Sequence, residues 1–343
     1  MQISLHLSQK KNLFKLATIE YHDDIMTFIS ILCALLIEQL KPLRVDNPMY
    51  LLIQNFAAKI EGWCNAGKES DGRMGWWILV LALTVPTALI YWVCLRINPI
   101  AALVWNVLIV YLTLGFRRYS HYFTSIQQAL SAGDEAAARA FLAEWTNLDT
   151  SGMDVTEISR LTVERALVGS HRNVFGVFFW FLMPVGPACA VMYRVAEFLS
   201  REWNEPEHMR NEAFGAYATK IFYWIDWIPA RLTAVAFAVV GNFEDAVYSW
   251  RNYADRWPNE LVGIILAAGG GALGVRLGEP ETKAMVLSAD ASAVDVDSLE
   301  LESQPGVEAT PRSLQSVVGL VWRALLLWML LLLLLMFFRM AVM

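Results

Sequence analysis

Residues 317–338 read VVGLVWRALLLWMLLLLLLMFF, with Arg323 the one charge in the run and Arg339 just beyond it. At about 1.5 Å rise per residue, some 20 apolar residues cross a hydrocarbon core of roughly 30 Å. A helix is the single-segment structure that satisfies its own backbone N–H and C=O groups there. Three further stretches of similar length, 76–95, 97–116 and 173–193, carry no charged residue. The pattern predicts an all-α, polytopic integral membrane protein with about four to five transmembrane helices, supplemented by amphipathic or re-entrant helices.

Composition agrees with this fold class and excludes others. Of 343 residues, 56% are hydrophobic and 17% charged, against about 25% charged in soluble domains. Mean hydropathy is +0.41. The net charge of −6 speaks against nucleic acid as a partner and leaves the lipid bilayer as the first expected one. Cys33, Cys64, Cys94 and Cys189 form no C-x-x-C pair, so neither a zinc knuckle nor a redox motif is expected. His6, His22, His121, His171 and His208 lie at no helical ligand spacing, and no metal site is read from the sequence. There is no Walker A sequence. Residues 269–274, GGGALG, satisfy G-x-G-x-x-G on paper, but such a loop needs a strand before it. In apolar surroundings the glycines are read as allowing close helix packing.

The rest of the chain divides around these runs. Residues 1–25 are polar and mixed, without a signal-peptide pattern; they are read as an extension ahead of a start at Met26. Residues 26–40 form a short first helix with Glu38 expected at the interface, and 50–63 an amphipathic one. Spans 76–95 and 97–116 form a hairpin around Arg96-Ile97-Asn98-Pro99. Residues 117–172 form a helical segment, with a break at Gly133, Asp134 capping the next helix, and a further helix over 156–168. Lys and Arg concentrate in loops 41–75 and 117–172, placing both in the cytoplasm by the positive-inside rule. Residues 173–199 are interrupted by Met183-Pro184-Val185-Gly186-Pro187, read as a kinked span with a re-entrant break as the alternative. Residues 213–245 and 261–275 read as short helices that pack against the spans or dip into the bilayer. Residues 279–316, acidic and poor in aromatics, read as a disordered linker tethering the helix 317–339. The membrane domain proper is 26–278.

The strongest polar constellation is Asp226-Trp227-Ile228-Pro229-Ala230-Arg231-Leu232. A carboxylate and a guanidinium in apolar surroundings are costly unless paired. The two can pair with each other, fixing the helix entry, or hold a ligand.

IDWIPARLTA (225–234) and GALGVRLGEP (271–280) resemble the N-W-I-P-A-R-L-T and G-A-L-G-V-R-L-G-G-P motifs of the CobD/CbiB cobalamin-biosynthesis family. ALSAGDEAAAR (129–139), EISRLTVERA (157–166) and FFWFLMPVGPACAVMYR (178–194) follow the family's order. The related AmpE membrane proteins, with D-W-V-P-V-R-L, are similar as well. The first resemblance implies a ligase that joins an aminopropanol unit, or its phosphate, to adenosylcobyric acid through an amide bond. ATP and Mg²⁺ enter only with that reading, since no cofactor is evident from the residues themselves. It also implies a multi-pass protein of a bacterial inner membrane, with a corrinoid intermediate as partner. The AmpE resemblance implies a non-catalytic membrane transducer working with a membrane or cell-wall enzyme in cell-wall recycling or β-lactamase induction. The substrate-binding candidates carried by the resemblance are Arg231, Asp226, Glu164 and Arg276. The positions of the family's E-N-x-x-D-G hold Val168, Gly169, Arg172 and Asn173, and those of its paired aspartates hold Phe222 and Tyr223. Acids that would hold a hard cation are therefore replaced.

Overall fold

The computed structural model describes residues 25–40, 48–64, 68–204, 212–278 and 305–342. Among these residues the chain is helical throughout; the one β-contact is an isolated parallel bridge between Val275 and Val307. Three helices are long and apolar enough to cross a membrane, over Ser70–Ile97, Phe214–Val240 and Pro311–Phe338, and Ile25–Leu40, Pro99–Thr113 and Glu260–Leu273 are shorter apolar helices. This is an all-α membrane protein. The chain folds as two compact units. One comprises Met1–Leu114, Val177–Ile221 and Leu326–Met343, the other Gly115–Gly176 and Phe222–Leu325.

The first unit is built on α1 (Ile25–Leu40), α2 (Pro48–Cys64), α3 (Glu69–Ile97) and α4 (Pro99–Thr113). The expected hairpin is made by one residue. Asn98 is extended, accepts from the Ile100 amide at 2.9 Å through its side chain, and is followed by Pro99 in the first turn of α4. Proline suits that position because its missing N–H has no helical partner anyway. Glu38 is buried rather than interfacial.

The apolar stretch 173–193 is not one span. A helix ends at Phe181 and another, α9 (Gly186–Glu202), starts after a break. Pro184 cannot continue the ladder, Gly186 has φ +24°, and Pro187 opens α9. α9 packs on α3 and α4. Conversely, 213–245 is longer than expected. α10 (Glu212–Val240) runs unbroken through Pro229 for 29 residues.

The second unit holds α5 (Phe116–Ser131), α6 (Glu135–Thr146) and α7 (Val155–Ser170). The turn at Gly133 (φ +76°) and the Asp134 cap on the Ala137 amide stand where expected. Asp154 and Glu157 cap α7 reciprocally. α7 continues through a π turn, His171–Phe175, and this stretch of the unit ends at Gly176; from Val177 on, α8 (Gly176–Phe181) belongs to the first unit. The unit is completed by residues of α10 from Phe222 on, α11 (Phe243–Tyr253), α12 (Glu260–Leu273) and the start of α13 (Pro311–Val342).

Glycine decides how α12 packs. A Cβ on Gly269 would meet Leu167 Cδ1 at 2.8 Å, and one on Gly271 would run into the Asp245 backbone carbonyl. Gly269–Gly271 are buried helical interior, so GGGALG is a packing surface and not a dinucleotide loop. α12 ends at Gly274 in the left-handed conformation (φ +65°). The next residues pair with the approach to α13: the Arg276 amide donates to Val307 O at 2.8 Å and the Val307 amide to Gly274 O at 3.0 Å. The helix of α13 thus begins at Pro311, six residues ahead of the apolar run. The N-terminal extension and the core of the acidic linker fall on residues 1–24 and 279–304, outside the described residues.

Candidate functional site

Each sequence candidate lies in the second unit, and the structure sorts them into three small constellations.

Glu164, on α7, bonds the stretch that follows α12. Its Oε1 accepts from the Gly278 amide at 2.8 Å and from Arg160 Nη1 at 3.2 Å. Gly278 has φ +74°, a conformation that suits glycine and turns its N–H toward the carboxylate. Arg276, two residues earlier, donates from Nη2 to Gly306 O at 3.3 Å. Arg165, beside Glu164 in sequence, is exposed. Its guanidinium is nevertheless held below the ordinary arginine value, by partial desolvation first and by Arg172 second, with Glu164 opposing. Arg172 lies 5.8 Å from the centre of the Phe222 ring.

Asp226 and Arg231 do not pair. In a helix, residues five apart point about 140° away from each other at 100° per residue. Arg231 Nη2 instead donates to Glu260 Oε1 at 2.8 Å, and its guanidinium stacks over Trp227 at 3.9 Å. Tyr223, two turns earlier on the same stripe, donates to the other oxygen, Glu260 Oε2, at 2.6 Å. Glu260 sits in the first turn of α12, where a carboxylate also meets the positive end of the helix dipole.

Asp226 turns the other way, into the interior. Its Oδ1 lies 2.9 Å from His171 Nε2, and His171 Nδ1 lies 2.8 Å from Thr233 Oγ1. His171, Asp226 and Thr233 are all buried. Nothing local in the sequence marks His171 or Glu260. Their partners are 55 and 29 residues away, and only the fold closes that separation.

Residues 32–303 match the family model described as CobD/Cbib protein. The chain belongs to the CobD/CbiB family. The Cobalamin biosynthesis protein CobD of Stutzerimonas stutzeri is 30% identical over 310 residues, 88% of this chain and 96% of that protein. The protein of the same name from Chromobacterium violaceum is 32% identical over 199 residues, 58% of this chain and 63% of that protein. The Mycobacterium tuberculosis protein of that name is 30% identical over 162 residues, 45% and 50% of the two chains. No solved structure matches. For a CobD/CbiB protein, the contact of Glu164 with Gly278 is the informative one, because it brings the segment EISRLTVERA against the residues of the GALGVRLG motif that follow α12.

Three acids of this unit are engaged by protein partners: Glu164 by Gly278 and Arg160, Asp226 by His171, Glu260 by Arg231 and Tyr223. Among the described residues no group of three His, Cys, Asp or Glu side chains could hold a metal ion.

Proposed function

We propose that this chain serves cobalamin biosynthesis as a multi-pass protein of a bacterial inner membrane. Its step is the attachment of an aminopropanol unit, or its phosphate, to adenosylcobyric acid through an amide bond. The observation that carries this reading is the Glu164–Gly278 hydrogen bond. It links EISRLTVERA to the specific GALGVRLG motif, with Arg276 two residues before Gly278. Both substrates of such a step bear groups a guanidinium recognises: the carboxylates or amides around a corrinoid ring and the phosphate of the amine component. Arginine engages phosphate and carboxylate through a planar fork, and Arg276, Arg165 and Arg172 are the guanidinium groups of this region. Making an amide from a carboxylate requires activation, which ATP supplies in ligases of this class. The role assigned to these residues is binding and orientation of the organic substrates.

A second reading rests on the same commitment of the acids. A unit in which Glu164, Asp226 and Glu260 serve internal contacts suits a non-catalytic, AmpE-like membrane role beside a cell-wall enzyme. Expression in a bacterium lacking its own CobD separates the two. Restored cobalamin-dependent growth supports the first reading. Absence of growth, with the protein present in the membrane at normal level, overturns it and leaves the second.

A further inference from the structure

One side of α13 changes character at Arg323. Residues three and four apart share a helix face, and Ser316, Gly319, Arg323, Leu326, Leu330 and Leu334 form one such stripe. Toward Pro311 the stripe is polar or bare: Ser316 is exposed, and Gly319 has open space where a Cβ would stand. Beyond Arg323 it is leucine, with Leu326, Leu330 and Leu334 all exposed. The apolar residues that open the run face elsewhere. Val317, Leu320 and Val321 are buried, so packing within the protein accounts for their hydropathy. The exposed leucines call for hydrocarbon instead.

The Arg323 side chain leans to the polar side of that change. Its Nε donates to Gly319 O at 3.2 Å, so the guanidinium lies back along the helix, away from the leucines, over the turn that Gly319 leaves bare. Its Nη groups have no hydrogen-bond partner among the described residues. A guanidinium so placed, at the edge of an apolar surface, calls for an anion. Trp322, the preceding residue, is 38% exposed, and tryptophan favours the headgroup level of a bilayer. We propose that Arg323 binds the phosphate of a phospholipid, and that the hydrocarbon core begins on its C-terminal side. The planar fork of the Nη groups suits two phosphate oxygens. The embedded part of α13 is then 324–338, with Arg339 the next charge, and it is about 22 Å long by the helical rise. A core of about 30 Å is thicker than that. A short apolar stretch is matched by local thinning of the bilayer and by snorkelling flanking residues, which a headgroup held at Arg323 provides. This site is independent of the reaction proposed above.

Two measurements on the full-length chain test the proposal. In the first, protein labelled with ¹³C at arginine Cζ is placed in nanodiscs of phosphatidylglycerol and phosphatidylethanolamine, and dephasing of the arginine signals by ³¹P is read by solid-state NMR. A strongly dephased signal that Arg323→Gln removes supports the site. Dephased signals left unchanged by Arg323→Gln overturn it. In nanodiscs of digalactosyl diacylglycerol, which has no phosphate, added inorganic phosphate should leave the Arg323 signal intact; dephasing as strong as in phospholipid would assign the site to a soluble phosphate and overturn the lipid reading. The second measurement needs no change at Arg323. In a background lacking the four native cysteines, spin labels on Ser316→Cys and Leu330→Cys are challenged with oxygen and with a water-soluble nickel chelate. The label at 316 is expected to meet the chelate and the label at 330 the oxygen. The same preference at both positions would overturn the proposal, because the hydrocarbon boundary would then not lie at Arg323.

Discussion

Arg231 Nη2 and Glu260 Oε1 stand 2.8 Å apart, tying the middle of α10 to the first turn of α12. The arginine's side chain is 25% exposed and the glutamate's 43%, so the attraction is screened by solvent, and a coupling of about 0.2–1 kcal/mol is expected. A double-mutant cycle with Arg231→Gln and Glu260→Gln, read by thermal unfolding in detergent, should return a coupling of that size. The cycle Arg231→Gln with Asp226→Asn should be additive, because Arg231 bonds Glu260 while Asp226 bonds His171. Coupling in the second cycle with none in the first would mean that Asp226 and Arg231 pair after all.

The buried face of α12 leaves no room for a methyl group at Gly271, because the group in the way is the backbone of Asp245 and Ala246. Gly271→Ala is therefore expected to cost about 1–3 kcal/mol through overpacking. Gly62, in α2, has nothing within 4 Å of an added Cβ, and Gly62→Ala should stabilise by about 0.5–1 kcal/mol through lower chain entropy. Equal effects at the two positions would contradict the packing assigned to α12.

The segment between α4 and the π turn is expected on the cytoplasmic side from its arginines. Gly152 lies in a turn with open space around it, so a cysteine there should be reachable by a thiol reagent. In a background lacking the four native cysteines, Gly152→Cys should react with an impermeant maleimide only after the cells are opened. Labelling of intact cells would reverse the orientation.

Hydropathy made the α3–α4 hairpin and the last helix legible, because a lipid-facing helix needs an apolar surface all round. The Asp134 cap and the turn at Gly133 were legible because capping is local chemistry. The break at residues 182–185 carried a visible signal in Pro184 and the Gly186-Pro187 that follows it, but an uncharged run looks the same whether or not the helix continues. α10 was read as too short because Asp226 and Arg231 interrupt its apolar sequence. The structure accommodates both through partners that pattern reading cannot reach, His171 and Glu260. The same holds for the site. The motifs pointed to Glu164, Asp226, Arg231 and Arg276, yet which acid serves which base depends on helix facing and on contacts between α7, α10 and α12.

The most direct test of the account is the reaction itself. Membranes from cells expressing this chain, and no other CobD, are supplied with adenosylcobyric acid, an aminopropanol phosphate and ATP, and the corrinoids are resolved by mass spectrometry. The account predicts a product heavier by the amide-linked unit, reduced at least about tenfold in Arg276→Gln, a loss equivalent to about 1.4 kcal/mol of transition-state binding. Absence of that product from membranes containing the folded protein would contradict the central claim.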